Sequence, residues 1–253
     1  MTKKPRILLY DLETSPNKGY FFDLYNGTRP EFVIKEKSIL TIAYKWHGEG
    51  TETAVISAAD YPSVFKKDTY NDKKVVEKFA KVMKDADYVV AHYGAKFDQR
   101  FLNARILANG LPPMHQAKMI DTWKLAKKHF LLNSNKLDHL GHILGVGRKK
   151  STDWSLWVKC VEGDVEAMKY MAEYNKQDVD LLESVFEKLK PYVVTALNVA
   201  SHEEQCPRCG GTHVIKRGHA MTSTGKKTRY QCMDCGGWFQ GKLLQSKTHN
   251  TQL

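Results

Sequence analysis

The feature that most constrains this chain is the segment Arg6-Ile-Leu-Leu-Tyr-Asp-Leu-Glu-Thr14, a run of apolar residues that ends in two acids. It has no polar alternation over its first half, which is the pattern of a strand covered on both faces, so it predicts a central strand. Side chains alternate along a strand, so Asp11 and Glu13 project from the same face. Two carboxylates on one face of a buried strand repel each other and are costly to desolvate. A divalent cation would offset that cost, and so would a strand end that simply emerges into water.

The remaining pattern surrounds that strand with further strands and then helices. Residues 15–37 carry Ser-Pro and Asn-Gly signals and read as a loop. Ser38–Trp46 and Glu52–Ser57 read as strands joined by a hairpin loop. Residues 72–86 have helical spacing, with Val75, Val76, Phe79, Val82 and Met83 on one face. Asp87–Tyr93 and Lys118–Asp121 are further strands; Phe97–Asn109, Thr122–Phe130 and Leu137–Leu144 are helices. The longest helical pattern is Asp164–Leu189, stopped near Pro191. The order predicts an α/β fold, a mixed sheet flanked by helices. No apolar run is long enough for a membrane span or a signal-peptide core, so the expected setting is the cytoplasm, with no membrane partner.

Two more acids fall where they could join the first pair. Asp98 lies near a helix start, where an acid also complements the helix dipole. Tyr174 and Asp178 are four apart in the long helix and share a face, as a partly buried tyrosine and a surface acid also would. Hard cations such as Mg²⁺ take oxygen ligands. Two such ions can clamp the attacking and leaving oxygens of a phosphoryl displacement. Asp11, Glu13, Asp98 and Asp178 supply four carboxylates for that purpose, and Tyr174 a hydroxyl.

The C-terminal part has a separate signature. Cys206-x-x-Cys209 and Cys232-x-x-Cys235 are separated by 22 residues and followed by Gly210-Gly211 and Gly236-Gly237. Four thiolates at this spacing suit one tetrahedral Zn²⁺, and in so small a module the metal supplies much of the folding free energy. Cys160 stands alone and is expected to be an inert buried thiol. The net charge is +11, and residues 201–253 hold eight Lys/Arg against three Asp/Glu. Such a balance is expected of a protein that meets a polyanion. Lys216, Arg217, Lys226, Lys227 and Arg229, flanked by Tyr230, Trp238 and Phe239, are the candidate nucleic-acid contacts. A solvated basic face over core aromatics would give the same pattern. Gly147–Lys150 and Lys124–Lys128 are basic runs that could meet phosphates, though such runs are more often solvated surface.

DLETSPN, HYGAKFD and YNKQD, in this order, resemble the three motifs of the DEDD exonuclease superfamily, and Tyr174 places the resemblance in the tyrosine-type branch. The similarity is to phage and bacterial proteins related to the proofreading domain of family-B DNA polymerases, over about residues 5–193. It implies a ribonuclease H-like fold and a 3′→5′ exonuclease that hydrolyses terminal phosphodiesters of DNA, at single-stranded or frayed ends. It implies two Mg²⁺ or Mn²⁺ ions on Asp11, Glu13, Asp98 and Asp178, with Tyr174 positioning the water and the backbone at Thr14 beside the terminal nucleotide. Replication or recombination proteins would be its partners, in a host cytoplasm if the gene is a phage's. One position departs: Tyr93-Gly94 stands where relatives often have Asn-Gly. The cysteine segment resembles the zinc ribbons of transposases and transcription factors. The expected organisation is a nuclease domain over 1–195, a linker over 196–205, a four-cysteine zinc ribbon over 206–240 and a flexible tail over 241–253. An endonuclease, an RNA- or hybrid-directed nuclease on the same fold, and a non-catalytic binding adaptor remain open alternatives.

Overall fold

A computed structural model of the chain describes residues 5–22, 30–193, 197–200 and 205–243. Of the segments read as linker and tail, residues 196, 201–204 and 244–253 lie outside the described residues. Residues 6–186 form one compact unit and the described residues from Glu187 onward another.

The first unit is built on strand β1 (Ile7–Thr14), followed by a small antiparallel pair, β2 (Lys18–Tyr20) and β3 (Phe32–Lys35), and then β4 (Ile39–Trp46) and β5 (Ala54–Ser57). A short helix α1 (Pro62–Phe65), α2 (Lys73–Met83), β6 (Tyr88–Ala91) and α3 (Asp98–Ala108) come next. The unit closes with β7 (Lys118–Asp121), α4 (Thr122–His129), α5 (Leu137–Ile143), α6 (Ser155–Val161) and α7 (Val165–Leu189). The five-stranded sheet has the order β5-β4-β1-β6-β7. β1 pairs antiparallel with β4 and parallel with β6. It is therefore central, and Leu8, Leu9 and Tyr10 are fully buried, as its unbroken apolar run requires.

Helices cover the sheet through their apolar stripes. α2 buries Val75, Val76, Phe79 and Met83, and Phe79 meets Tyr10 with ring centroids 5.3 Å apart. A buried polar brace ties α2 and α3 to β4. Asp72 is wholly buried and accepts from Arg105 Nε (2.7 Å), Arg105 Nη2 (2.9 Å), Asn109 Nδ2 (2.8 Å) and Ile39 N (2.9 Å). Asp164 caps α7, its carboxylate accepting from Glu166 N and Ala167 N at 2.9 and 3.0 Å.

Several elements differ from the sequence reading, the short helix α1 among them. The stretch read wholly as loop, 15–37, contains β2 and β3. Their exposed faces and Gly19 erase the alternation that marks a half-buried strand. α6 also forms in a stretch too short to show a clear helical period.

The second unit holds a three-stranded antiparallel sheet of order β10-β9-β8, from β8 (Val214–Thr222), β9 (Gly225–Cys232) and β10 (Trp238–Leu243). Two matching turns present the cysteines. Gly210 N bonds Cys206 O at 2.8 Å and Gly236 N bonds Cys232 O at 2.9 Å, with φ of 75° and 74° at the two glycines. That left-handed backbone is what glycine supplies without steric cost. Residues 197–200, inside the segment read as linker, meet the first turn: Val199 N donates to Pro207 O at 2.8 Å. Among the described residues no helix is long and apolar enough to cross a membrane.

Candidate active site

β1 carries Asp11 and Glu13 on one face, and α7 lays Asp178 against them. Carboxylate oxygens of these three residues lie within 4.8 Å of one another. Asp98, the first residue of α3, does not join that set. Its carboxylate is buried and accepts from Leu12 N at 3.3 Å. Its charge still acts on Asp11, as the largest cause after burial of that residue's raised pKa.

The pairing of β1 with β4 shifts between Glu13 and Thr14, with Leu40 of β4 as the extra residue, so Thr14 faces Ile39 out of step with the preceding pairs. Tyr174, one turn before Asp178 on α7, is buried. Asp180, two residues on, is exposed and meets Lys45 at 3.4 Å.

The electrostatics are those of an acid cluster short of cations. Burial, then the charges of Asp98, Asp178 and Glu13, push Asp11 well above the carboxylate range. Burial lifts Glu13 to about 7 against the pull of Lys149, and burial lifts Asp98 to about 7 despite the donated Leu12 N–H. Asp178 is raised by burial and held back by Lys149 and the Tyr174 hydroxyl. Its Oδ1 finds no hydrogen bond of good geometry. Tyr174 is pushed up to about 12 by burial and then by Asp178, so its hydroxyl stays protonated at neutral pH.

Three residues with no role in the sequence reading complete the site. Lys149 Nζ stands 2.6 Å from Asp178 Oδ2 and 5.4 Å from the Tyr174 ring centroid. It belongs to the run 147–150, read as solvated; the fold turns this one lysine inward while Arg148 pairs outward with Asp138 at 2.8 Å. Asn175 is fully buried, donates from Nδ2 to Asp11 Oδ2 at 2.8 Å, and accepts from Thr41 Oγ1 at 2.9 Å. Its place directly after Tyr174 was the only signal available in sequence. The Trp157 indole donates to the Glu13 carboxylate and lowers its pKa.

Asp98 is placed by the turn before it. The Asp121 carboxylate accepts from Tyr93 N (3.1 Å), Ala95 N (3.2 Å), Trp123 N (3.0 Å) and Lys124 N (3.2 Å), fixing that turn while it caps α4. Tyr93 takes φ of 66°, a left-handed conformation that asparagine adopts more readily. A Cβ on Gly94 would stand 2.4 Å from the Ala91 Cβ, so only glycine fits there.

The residues fit a hard divalent cation: three clustered carboxylates, a fourth behind them, and a buried acid oxygen without a donor. The cysteines fit zinc. Their sulfur atoms lie within 4.8 Å of one another, with Cys206–Cys235 at 3.8 Å and Cys209–Cys232 at 3.6 Å. Four sulfurs on a tetrahedron with Zn–S of about 2.3 Å would be about 3.8 Å apart. Arg208 is buried with Nη1 making no hydrogen bond, and burial lowers its pKa against the opposing charge of the four sulfurs. Cys160 is buried, its thiol pushed up to about 12.

The candidate nucleic-acid residues of the ribbon do not form one stripe. β9 alternates regularly, so Lys227 and Arg229 share one face and Lys226 lies on the other, with Tyr230. Arg229 lies 5.3 Å over the Trp238 ring, and Arg217 Nε donates to Gln231 Oε1 at 3.1 Å. Those four residues and Lys227 therefore mark one face. Lys216, opposite Tyr230, is on the other.

A mixed five-stranded sheet with a central acid-bearing strand, flanked by helices, is a ribonuclease H-like fold. The RNase_H superfamily, through the family RNase_H_2, matches residues 35–190, and the chain belongs to it. The fold is also that of part of the family B DNA polymerase from the hyperthermophilic archaeon Pyrobaculum calidifontis. The two are 18% identical, with a TM-score of 0.55 over 74% of this chain and 25% of the polymerase. This chain thus corresponds to about a quarter of that protein. No curated protein matches it.

Proposed function

We propose that the first unit is a 3′→5′ exonuclease acting on single-stranded or frayed DNA ends. The observation that carries this reading is the meeting of Asp11, Glu13 and Asp178 within 4.8 Å beside Tyr174, on a ribonuclease H-like sheet. The motif resemblance supplies the polarity, and the polymerase neighbour points to DNA.

Asp11, Glu13, Asp98 and Asp178 would hold two Mg²⁺ or Mn²⁺ ions, which when bound neutralise the scissile phosphate and stabilise the entering and leaving oxygens. Asn175 fixes the Asp11 carboxylate, and Trp157 fixes that of Glu13. Tyr174, protonated at neutral pH, orients a water through its hydroxyl and does not act as the base. Lys149 places a cation where negative charge grows on the phosphate. The backbone at Thr14, where the pairing with β4 shifts, would meet the terminal nucleotide.

The second unit would be a zinc ribbon, with Cys206, Cys209, Cys232 and Cys235 closing its metal site. Arg217, Lys227 and Arg229 beside Trp238, with Lys216 and Lys226 on the opposite face, would hold the strand. The domain limits of this reading are 1–195 for the nuclease and 206–243 for the ribbon, since β10 runs to Leu243, three residues into the segment read as tail.

The test uses 5′-labelled single- and double-stranded DNA and RNA with Mn²⁺ or with chelator. The expected result is a ladder shortening from the 3′ end of single-stranded DNA, lost with chelator and in Asp11→Ala. Unchanged cleavage by Asp11→Ala would end the assignment. Cleavage of circular DNA would replace it with an endonuclease.

A further inference from the structure

A row of aromatic rings runs from the carboxylates to the surface. Trp157 hydrogen-bonds Glu13 and lies edge-on to Tyr174, centroids 6.1 Å apart at 76°. Trp154, three residues earlier at the start of α6, stacks on Trp157 at 6.2 Å and 17°. Trp154 is 64% exposed, so it presents ring surface to water. The opposite side of α6 is anchored by buried Leu156 and Cys160, which holds the two indoles in place. Beside the row, Lys150 Nζ lies 4.1 Å from the Tyr170 ring centroid, one helical turn before Tyr174. Trp154 and Tyr170 lie outside the acid cluster, which Trp157 and Tyr174 border.

We propose that Trp154 and Trp157 form a stacking platform for unpaired bases of a nucleic-acid strand whose end enters the carboxylate pocket, with Lys150 meeting a backbone phosphate. The inference rests on the nuclease reading and names its substrate contact. Every base has a π-face, so such a platform is sequence-tolerant. A base inside a duplex has its faces covered by its neighbours. The platform therefore favours single strands and frayed ends over intact duplex. The lysines flanking the row suit a polyanion better than an apolar protein surface.

The test measures binding of the full chain to a labelled thymidine oligonucleotide in chelator, where nothing is cleaved, and to an abasic oligonucleotide of equal length and charge. Loss of one stacked base corresponds to a weakening of about tenfold. Trp154→Leu is expected to raise Kd about tenfold on the thymidine strand and less than about twofold on the abasic one. Trp154→Phe, which keeps a ring, should stay within about threefold of wild type. Leucine binding as well as tryptophan overturns the platform, and so does an equal penalty on the abasic strand. A wild type that binds neither oligonucleotide also overturns it and leaves the rings to a protein partner. A wild type that binds the thymidine strand with this tryptophan dependence but never cleaves in Mn²⁺ would keep the platform and remove the nuclease reading. Cleavage with no tryptophan dependence would do the reverse.

Discussion

Asn175→Ala isolates the positioning of one carboxylate. Asn175 has no solvent exposure and joins three elements: it donates to Asp11 Oδ2 at 2.8 Å and accepts from Thr41 Oγ1 at 2.9 Å. Alanine removes a donor to a carboxylate, about 1.5–3 kcal/mol, and strips the buried Thr41 hydroxyl of its acceptor, about 1 kcal/mol more. The variant should therefore unfold at lower urea concentration, with a loss of about 2–4 kcal/mol. The second effect falls on the cation. Removing a partner that orients a ligand costs about 10–100-fold in metal affinity. Calorimetric titration of folded Asn175→Ala with Mn²⁺ should show that weakening, and the Mn²⁺ dependence of cleavage should move with it. Asn175→Asp keeps the shape but brings an oxygen to face Asp11 Oδ2, so one of the two must take up a proton; it should bind Mn²⁺ more weakly still at low metal. If Mn²⁺ affinity in the alanine variant stays within about twofold of wild type, Asn175 does not set the Asp11 carboxylate, and the reasoning fails.

Asp72→Ala leaves the half-buried Arg105 without its partner and orphans Ile39 N, so a loss of about 3–5 kcal/mol is expected by chemical denaturation; a loss under about 1 kcal/mol would deny the brace its role. In the metal-free protein, carboxyl pKa values raised on folding mean that the native state binds more protons than the unfolded state between the ordinary carboxylate range and about 7. Stability should then fall as pH rises through that window, by about 3 kcal/mol for a group moved from 4.5 to about 7, and Mn²⁺ should restore it at neutral pH. A melting temperature flat between about pH 5 and pH 7.5 would contradict this. Replacing Arg217, Lys227 and Arg229 together by alanine should reduce the salt slope of single-strand binding by about one unit for each phosphate that is no longer neutralised; an unaltered slope returns that face to a structural role.

Much of the sheet was legible because burial imposes a period. β1 showed as an unbroken apolar run and α2 as a stripe, and both stand where those patterns place them. β2 and β3 escaped because neither face is buried, and without burial no alternation is selected. In the site, strand and helix periods said which side chains share a face, Asp11 with Glu13 and Tyr174 with Asp178, while the motif resemblance is what joined them into one set. Lys149 was not. Within 147–150 nothing local distinguishes the cation that turns inward from its neighbours, and only Asp178 decides it. Asn175 was hidden for the same reason, because its partners, Asp11 and Thr41, are 164 and 134 residues away. The basic residues of the ribbon looked like one patch because counting charges ignores strand parity, which sends Lys226 and Lys227 to opposite faces.

The span between Asp11 and Asn175 has a consequence for biosynthesis. The strand that bears the first two acids leaves the ribosome well before the helix that completes their surroundings, whose Asn175 lies 164 residues after Asp11. Contacts so distant along the chain form slowly and late. Until α7 docks, Asp11 and Glu13 lack their third carboxylate and Lys149 lacks the Asp178 it pairs with, so a nascent or truncated chain carries the acids without a pocket. An activity able to degrade nucleic acid would thus be withheld until translation of this unit is complete.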